Sequence, residues 1–155
     1  MKKQKKTILA NPLDENSKHL KQETTKLAII YWLNPRDSNK GRLWMPVYDD
    51  RFPFVFPVKF TYVSKFLEKN NVSGNHYHKI KQELLIPLDG EFEIVLEDIV
   101  TKEREIYSVN ANEHKVFYIR TGVSHKVVSK KDTGLLLVLA SVNSTPEDEI
   151  EYVIC

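Results

Sequence analysis

From residue 27 onward the chain is a succession of short β-rich runs parted by turn residues, with no stretch of helical periodicity. That pattern limits the fold to an all-β sandwich or barrel. The runs cover residues 27–33, 43–48, 54–63, 83–88, 91–96, 106–109, 115–119, 125–128 and 135–139. Between them stand Asn39-Lys40-Gly41, Asn70-Asn71, Asp89-Gly90, Asn110-Ala111-Asn112 and Asp132-Thr133-Gly134, residues that accept the backbone angles of turns. The run Glu91-Phe92-Glu93-Ile94-Val95-Leu96 alternates with period two, as a strand with one wet face does. Asp89-Gly90, lying between two runs, predicts a β-hairpin.

Residues 1–26 have a different texture. They are polar and lysine-rich, with Asn11-Pro12 as a breaker, and are expected to be flexible or partly helical. A short helix capped by Asp14 is expected over 14–25, although its apolar stripe is thin. Residues 27–155 are then one barrel domain, a length sufficient to bury a real core.

Charge excludes some functions. The formal net charge is +2, and Lys2, Lys3, Lys5 and Lys6 hold much of the basic excess in the first residues. A concentrated basic face is missing, so no nucleic-acid partner is expected. Nothing approaches the ~18 apolar residues of a membrane span. The basic start lacks the apolar core of a signal peptide, and the single cysteine, Cys155, allows no intramolecular disulfide. The expected location is therefore cytoplasmic.

Chemistry concentrates on the histidines. Of five, His76 and His78 lie two apart in Gly74-Asn75-His76-Tyr77-His78, so in a strand they aim to one face. Glu83 follows, and His125 closes Arg120-Thr121-Gly122-Val123-Ser124-His125. Three imidazoles and a carboxylate can form the inner shell of a divalent transition-metal site. His19, in the polar segment, and His114, at a loop-to-strand boundary, read as structural or surface residues.

The run from Gly74 to Gly90 carries the pattern His-x-His-x4-Glu-x6-Gly, which resembles the first motif of the cupins. The run ending at His125 is similar to their second motif in its glycine and histidine. It departs at Arg120, where proline is usual, and at Ser129, where asparagine is usual. The resemblance implies an antiparallel jelly-roll β-barrel, with the ligand positions at His76, His78, Glu83 and His125. It also implies one divalent transition metal (zinc, iron, manganese or nickel) or, in members that use the same histidines for acid–base work, none.

Further stretches resemble the bacterial dTDP-sugar 3,4-ketoisomerases, the WxcM-like or FdtA-like group. They are Gly41-Arg42-Leu43, Phe52-Pro53-Phe54, Pro57-Val58-Lys59, His76-Tyr77-His78-Lys79, the seven-residue spacing of Tyr118 and His125, and Val138-Leu139-Ala140-Ser141 with Glu147-Asp148-Glu149-Ile150 behind it. Gln82-Glu83 reverses the order usual there, and Phe60 follows Lys59 where arginine is usual. Asn75 before His76 is also similar to the zinc-bearing domains of deoxysugar epimerases and reductases.

What the resemblance implies is a nucleotide-sugar isomerase acting on a dTDP-4-keto-6-deoxyhexose, as 3,4-ketoisomerase or 3-epimerase. Its catalytic residues would be His76, His78 and Tyr118, with Tyr77 a weaker candidate because it points away from both histidines. Lys59, Lys79 and Arg120 would contact the substrate. Histidine, titrating near neutrality, can both remove and return the proton next to a keto group. Two other readings stay open: a metal-dependent cupin of another class, such as a dioxygenase, and a non-catalytic sugar-binding cupin. Barrels of this size pair through edge strands, so a homodimer is expected.

Overall fold

The computed structural model describes residues 19–37, 40–52 and 56–155. Among them the strands are β1 (Lys21–Thr24), β2 (Ala28–Trp32), β3 (Arg36–Asp37), β4 (Leu43–Trp44), β5 (Phe60–Phe66), β6 (Val72–Tyr77), β7 (Glu83–Asp89), β8 (Glu91–Asp98), β9 (Arg104–Asn110), β10 (Lys115–Ile119), β11 (Val123–Ser129), β12 (Gly134–Ala140) and β13 (Ile150–Glu151). One sheet runs β1-β2-β10-β7-β12-β5 and a second β13-β6-β11-β8-β9, while β3 and β4 form a separate ribbon. Every pairing is antiparallel. The expected all-β jelly-roll barrel is what the chain forms.

The two large sheets face each other across a core that includes Ile30, Leu85, Phe92, Leu96, Phe117 and Val127. Each such side chain, fully withdrawn from water, contributes roughly 1.5–3 kcal/mol. A second core lies on the outer face of the six-stranded sheet. There Tyr31, Leu84, Ile86 and Val116 are covered by Phe52 and Phe56, with Met45, Val47 and Tyr48 packed alongside. This cover corrects two expected strands. Of the run 43–48 only Leu43–Trp44 is strand, and in 54–63 strand begins only at Phe60, positions 54–55 lying outside the described residues. Their apolar residues mark an irregular segment buried against a sheet, and side-chain burial alone does not distinguish that from a strand.

Two other expectations change. Asp89-Gly90 does not close a hairpin: β7 pairs with β10 and β12, whereas β8 pairs with β9 and β11. It is the corner at which the chain passes from one sheet to the other. Gly90 has φ 93°, and a Cβ there would stand 2.9 Å from the carbonyl oxygen of Thr133, so the corner is too tight for a side chain. The helix expected over 14–25 also fails where it is described, since residues 21–24 form β1 and pair with β2; its start lies outside the described residues. Lys21 gains a place over the indole of Trp32, 4.8 Å from the ring centre, and a thin apolar stripe offers a helix no competing burial.

Strand register positions the site. Glu83 opens β7 and pairs with Ile119 on one side and Ala140 on the other. In the facing sheet His125 pairs with His76 and Leu96. Among the described residues no helix is long and apolar enough to cross a membrane.

Candidate active site

The histidine strands meet at a bulge. His125 pairs with His76 but Lys126 pairs with Gly74, which leaves Asn75 as the extra residue of β6. Gly74 and Asn75 both have positive φ, 96° and 60°. A Cβ on Gly74 would come within 2.3 Å of the carbonyl oxygen of His125. Glycine is therefore required for the close backbone approach that sets His76 beside His125.

His76, His78 and His125 come together there, their nearest ring nitrogens all within 4.8 Å of one another. Ring centres are 4.8 Å apart for His76 and His78, and 4.8 Å for His76 and His125. Glu83 reaches the same point: its Oε2 is 3.3 Å from Nε2 of His125 and 3.6 Å from Nε2 of His78. His78, Glu83 and His125 are buried, and His76 is half-buried.

The C-terminal segment fixes the loop between β6 and β7. Nδ1 of His78 donates to the carbonyl oxygen of Asp148 at 2.7 Å. A carbonyl only accepts, so Nδ1 carries a hydrogen and a neutral His78 presents a bare Nε2 to Glu83. The Asp148 carboxylate accepts the backbone N–H groups of Lys79, Ile80 and Lys81, each at 2.9 Å. Lys81 is 2% exposed. Its Nζ lies 3.1 Å from Oε1 of Glu83 and 3.6 Å from Glu149, and donates to Oγ of Ser144 at 2.8 Å.

Burial lowers the pKa of His125 to about 4, against the opposing pull of Glu83. His76 is also lowered, by burial and then by neighbouring His78. Burial alone would raise Glu83, but His78, His125 and Lys81 together hold it well below the carboxylate range. The resting cluster at neutral pH thus combines an ionised carboxylate with neutral imidazoles at His76 and His125.

The donor set fits a divalent transition metal. Nε2 of His78 and Oε2 of Glu83 face the cluster buried and without a hydrogen-bond partner among the described residues, and three imidazoles with one carboxylate match the ligand types such ions take. His76, His78, Glu83 and His125 are the residues that would hold it.

Other expected site residues lie elsewhere. Tyr118 does not join the cluster. It pairs with Leu84 in register, packs in the outer core, and donates from its hydroxyl to Oε1 of Gln82 at 2.7 Å. Alternation along β10 puts it on the face opposite Ile119, which packs inside the barrel. Arg120 is tied to Asp98 at 2.6 Å and its side chain is 44% exposed. Lys59 and Lys79 are exposed. Lys59 just precedes Phe60, which pairs with Ala140 in the row that continues to Glu83, so it stands at the cluster's end of the barrel. Tyr77 packs edge-on against Tyr152 at 6.3 Å. His19 is exposed, and His114 caps the short turn Ala111–Glu113 in a left-handed conformation.

Sequence reasoning missed Lys81, Asp148 and Tyr62. Lys81 lies two positions before Glu83, a spacing that shares a face in extended chain, and that signal was readable. Tyr62 is on β5, packs against the inner core, and has its pKa raised by burial and then by Glu83 and Glu149. Asp148 stands in the sequence only as part of the acidic run 147–149, which assigns it no role.

Relatives place the fold. The family model described as "WxcM-like, C-terminal" (FdtA) matches residues 23–153. The chain belongs to the WxcM-like, C-terminal family. A search of curated protein sequences found no significant match. Among solved structures, the dTDP-4-dehydrorhamnose 3,5-epimerase of Bacillus anthracis, with TDP and PPi bound, is 14% identical at a TM-score of 0.75, with 84% of this chain and 82% of that one covered. The sugar 3,4-ketoisomerase QdtA of Thermoanaerobacterium thermosaccharolyticum, in complex with TDP, is 24% identical at a TM-score of 0.69, covering 82% and 89%. NovW of Streptomyces spheroides, a 4-keto-6-deoxy sugar epimerase, is 15% identical at 0.72, covering 84% and 72%. At these identities the likeness establishes the cupin-type fold of this WxcM-like chain.

Proposed function

We propose that this WxcM-like chain is a nucleotide-sugar isomerase that moves a proton at the carbon beside the keto group of a dTDP-4-keto-6-deoxyhexose, as a 3,4-ketoisomerase or 3-epimerase. The observation that carries the reading is the orientation of His78. Its Nδ1 is committed to the Asp148 carbonyl, so the nitrogen it turns to the cluster is Nε2, 3.6 Å from Oε2 of Glu83. That is the arrangement of a general base whose protonated form is stabilised in place. The family membership and the sugar-nucleotide enzymes that share the fold support the choice of substrate.

In the forward step Nε2 of His78, or a ring nitrogen of His76, takes the C3 proton and leaves an enediolate. Return of the proton to C4, with the hydroxyl proton passing from O3 to O4, gives the 3-keto isomer. Return to the opposite face of C3 gives the epimer. Tyr62, kept protonated by its raised pKa, can donate toward the developing oxyanion from the inner face. A metal held by His76, His78, Glu83 and His125 would instead supply Lewis-acid polarisation of the keto oxygen, and with those ring nitrogens committed to it the proton would have to be moved by another group. Substrate contact by Lys59 and Lys79, and pairing of two copies through an exposed edge strand, belong to the same proposal.

The test is proton exchange in heavy water, read by NMR on a dTDP-4-keto-6-deoxyglucose. Deuterium should appear at C3 of the epimer, or at C4 of the 3-keto isomer. Tight binding with no exchange would favour a sugar-binding module and overturn the enzymatic reading.

A further inference from the structure

We infer that Lys81 is the resident cation of this cluster, and that its ammonium weakens the hold of the three histidines and Glu83 on a divalent metal. This deepens the isomerase reading, since a site with its own cation does acid–base work on a sugar without waiting for metal. The metal-binding test below stands whether or not the isomerase reading survives.

The argument starts from Glu83, the anionic member of the candidate ligand set. Its Oε2 is turned to His78 and His125, and its Oε1 is 3.1 Å from Nζ of Lys81. The lysine is held there by construction. Ser144 accepts its proton at 2.8 Å, Glu149 stands 3.6 Å away, and the N–H of Lys81 is bound by Asp148. The residue is 2% exposed and Glu83 1%. Water therefore screens their attraction poorly, and a charge placed beside the pair feels both.

A divalent ion among the four donors would sit next to this ammonium. It would draw on a carboxylate whose charge is already shared, and it would meet like-charge repulsion at short range in a poorly screened site. Both effects lower metal affinity below what the donor set alone provides. Removing the lysine charge should release Glu83 for the ion.

The experiment titrates zinc alone into the full-length protein, with a chromophoric chelator as competitor. Wild type is compared with Lys81→Gln, with Lys81→Met as a second neutral variant should the first not fold, and circular dichroism reports folding. The neutral variant should bind one zinc roughly tenfold or more tighter than wild type, and the gain should shrink when Glu83→Gln is added, to the part that comes from direct repulsion. Equal zinc affinity in wild type and the folded neutral variant would overturn the inference. So would a gain undiminished in the double variant, because Glu83 would then have no share in the effect.

Discussion

Nδ1 of His78 donates to the main-chain carbonyl of Asp148 across 2.7 Å, joining a residue at the end of β6 to one seventy positions later. That single bond decides which nitrogen of His78 faces Glu83, and it makes the C-terminal segment part of the cluster. A carbonyl cannot be removed by substitution, so the pair is probed from both ends.

From the His78 end, His78→Gln should leave a folded barrel that still binds a dTDP sugar. Deuterium exchange at C3 should fall by ~10²–10⁴-fold, the usual cost of losing a general base. His76→Gln should also impair exchange. Wild-type exchange in both variants would show that these histidines are not catalytic.

From the other end, Asp148→Ala removes the acceptor of three backbone N–H groups. Leaving them unpaired should cost roughly 2–4 kcal/mol in urea unfolding. Asp148→Asn, which keeps one acceptor oxygen, should lie between alanine and wild type. A loss below about 1 kcal/mol for alanine would mean that water or another group replaces the carboxylate.

The two tyrosines separate the faces of the six-stranded sheet. Tyr118 packs in the outer core and Tyr62 against the inner one. Tyr62→Phe should therefore slow C3 exchange about tenfold or more, while Tyr118→Phe should change it by less than about threefold. The reverse order in an exchange assay would return the sequence-based assignment to Tyr118.

Gly74→Ala sets a Cβ 2.3 Å from the His125 carbonyl oxygen, at φ 96°. Backbone must move on one strand or both. A loss of roughly 3 kcal/mol or more is expected, with exchange activity reduced even in molecules that remain folded, because the same contact aligns His76 with His125. A melting temperature equal to wild type would show that the bulge adapts.

Stability should fall on acidification from about pH 6.5 to about pH 4. His125 has a pKa of about 4 when folded, against the 6.5 ordinary for histidine. The unfolded chain therefore binds the extra proton first, and stability rises with pH across that window. The contribution is complete above 6.5 and is lost as pH falls through the folded value. His76, lowered in the same direction, adds to the slope. Urea midpoints at several pH values should show it, and His125→Asn should flatten it. An unchanged slope in that variant would assign the dependence to other groups.

Much of this molecule could be read from residues alone. Period-two runs and turn residues specify an antiparallel all-β fold, because alternation and turn chemistry are local properties of the chain. Spacing put His76 and His78 on one face, because two positions along a strand share it, and the resemblance of both motifs to the cupins added Glu83 and His125. Tertiary structure decided what depends on partners far away in sequence. Asp89-Gly90 has the local form of a hairpin, yet strand pairing makes it a corner between sheets, and only the positions of β10, β11 and β12 distinguish the two. The face on which Tyr118 lies follows from the phase of β10 against β7, which no spacing to His125 encodes. Lys81 and Asp148 enter the site because the chain returns from β12 and seats its last segment on the loop between β6 and β7. A contact across some seventy residues is set by how the sheets pack, since only there is the cost of burying those charges offset.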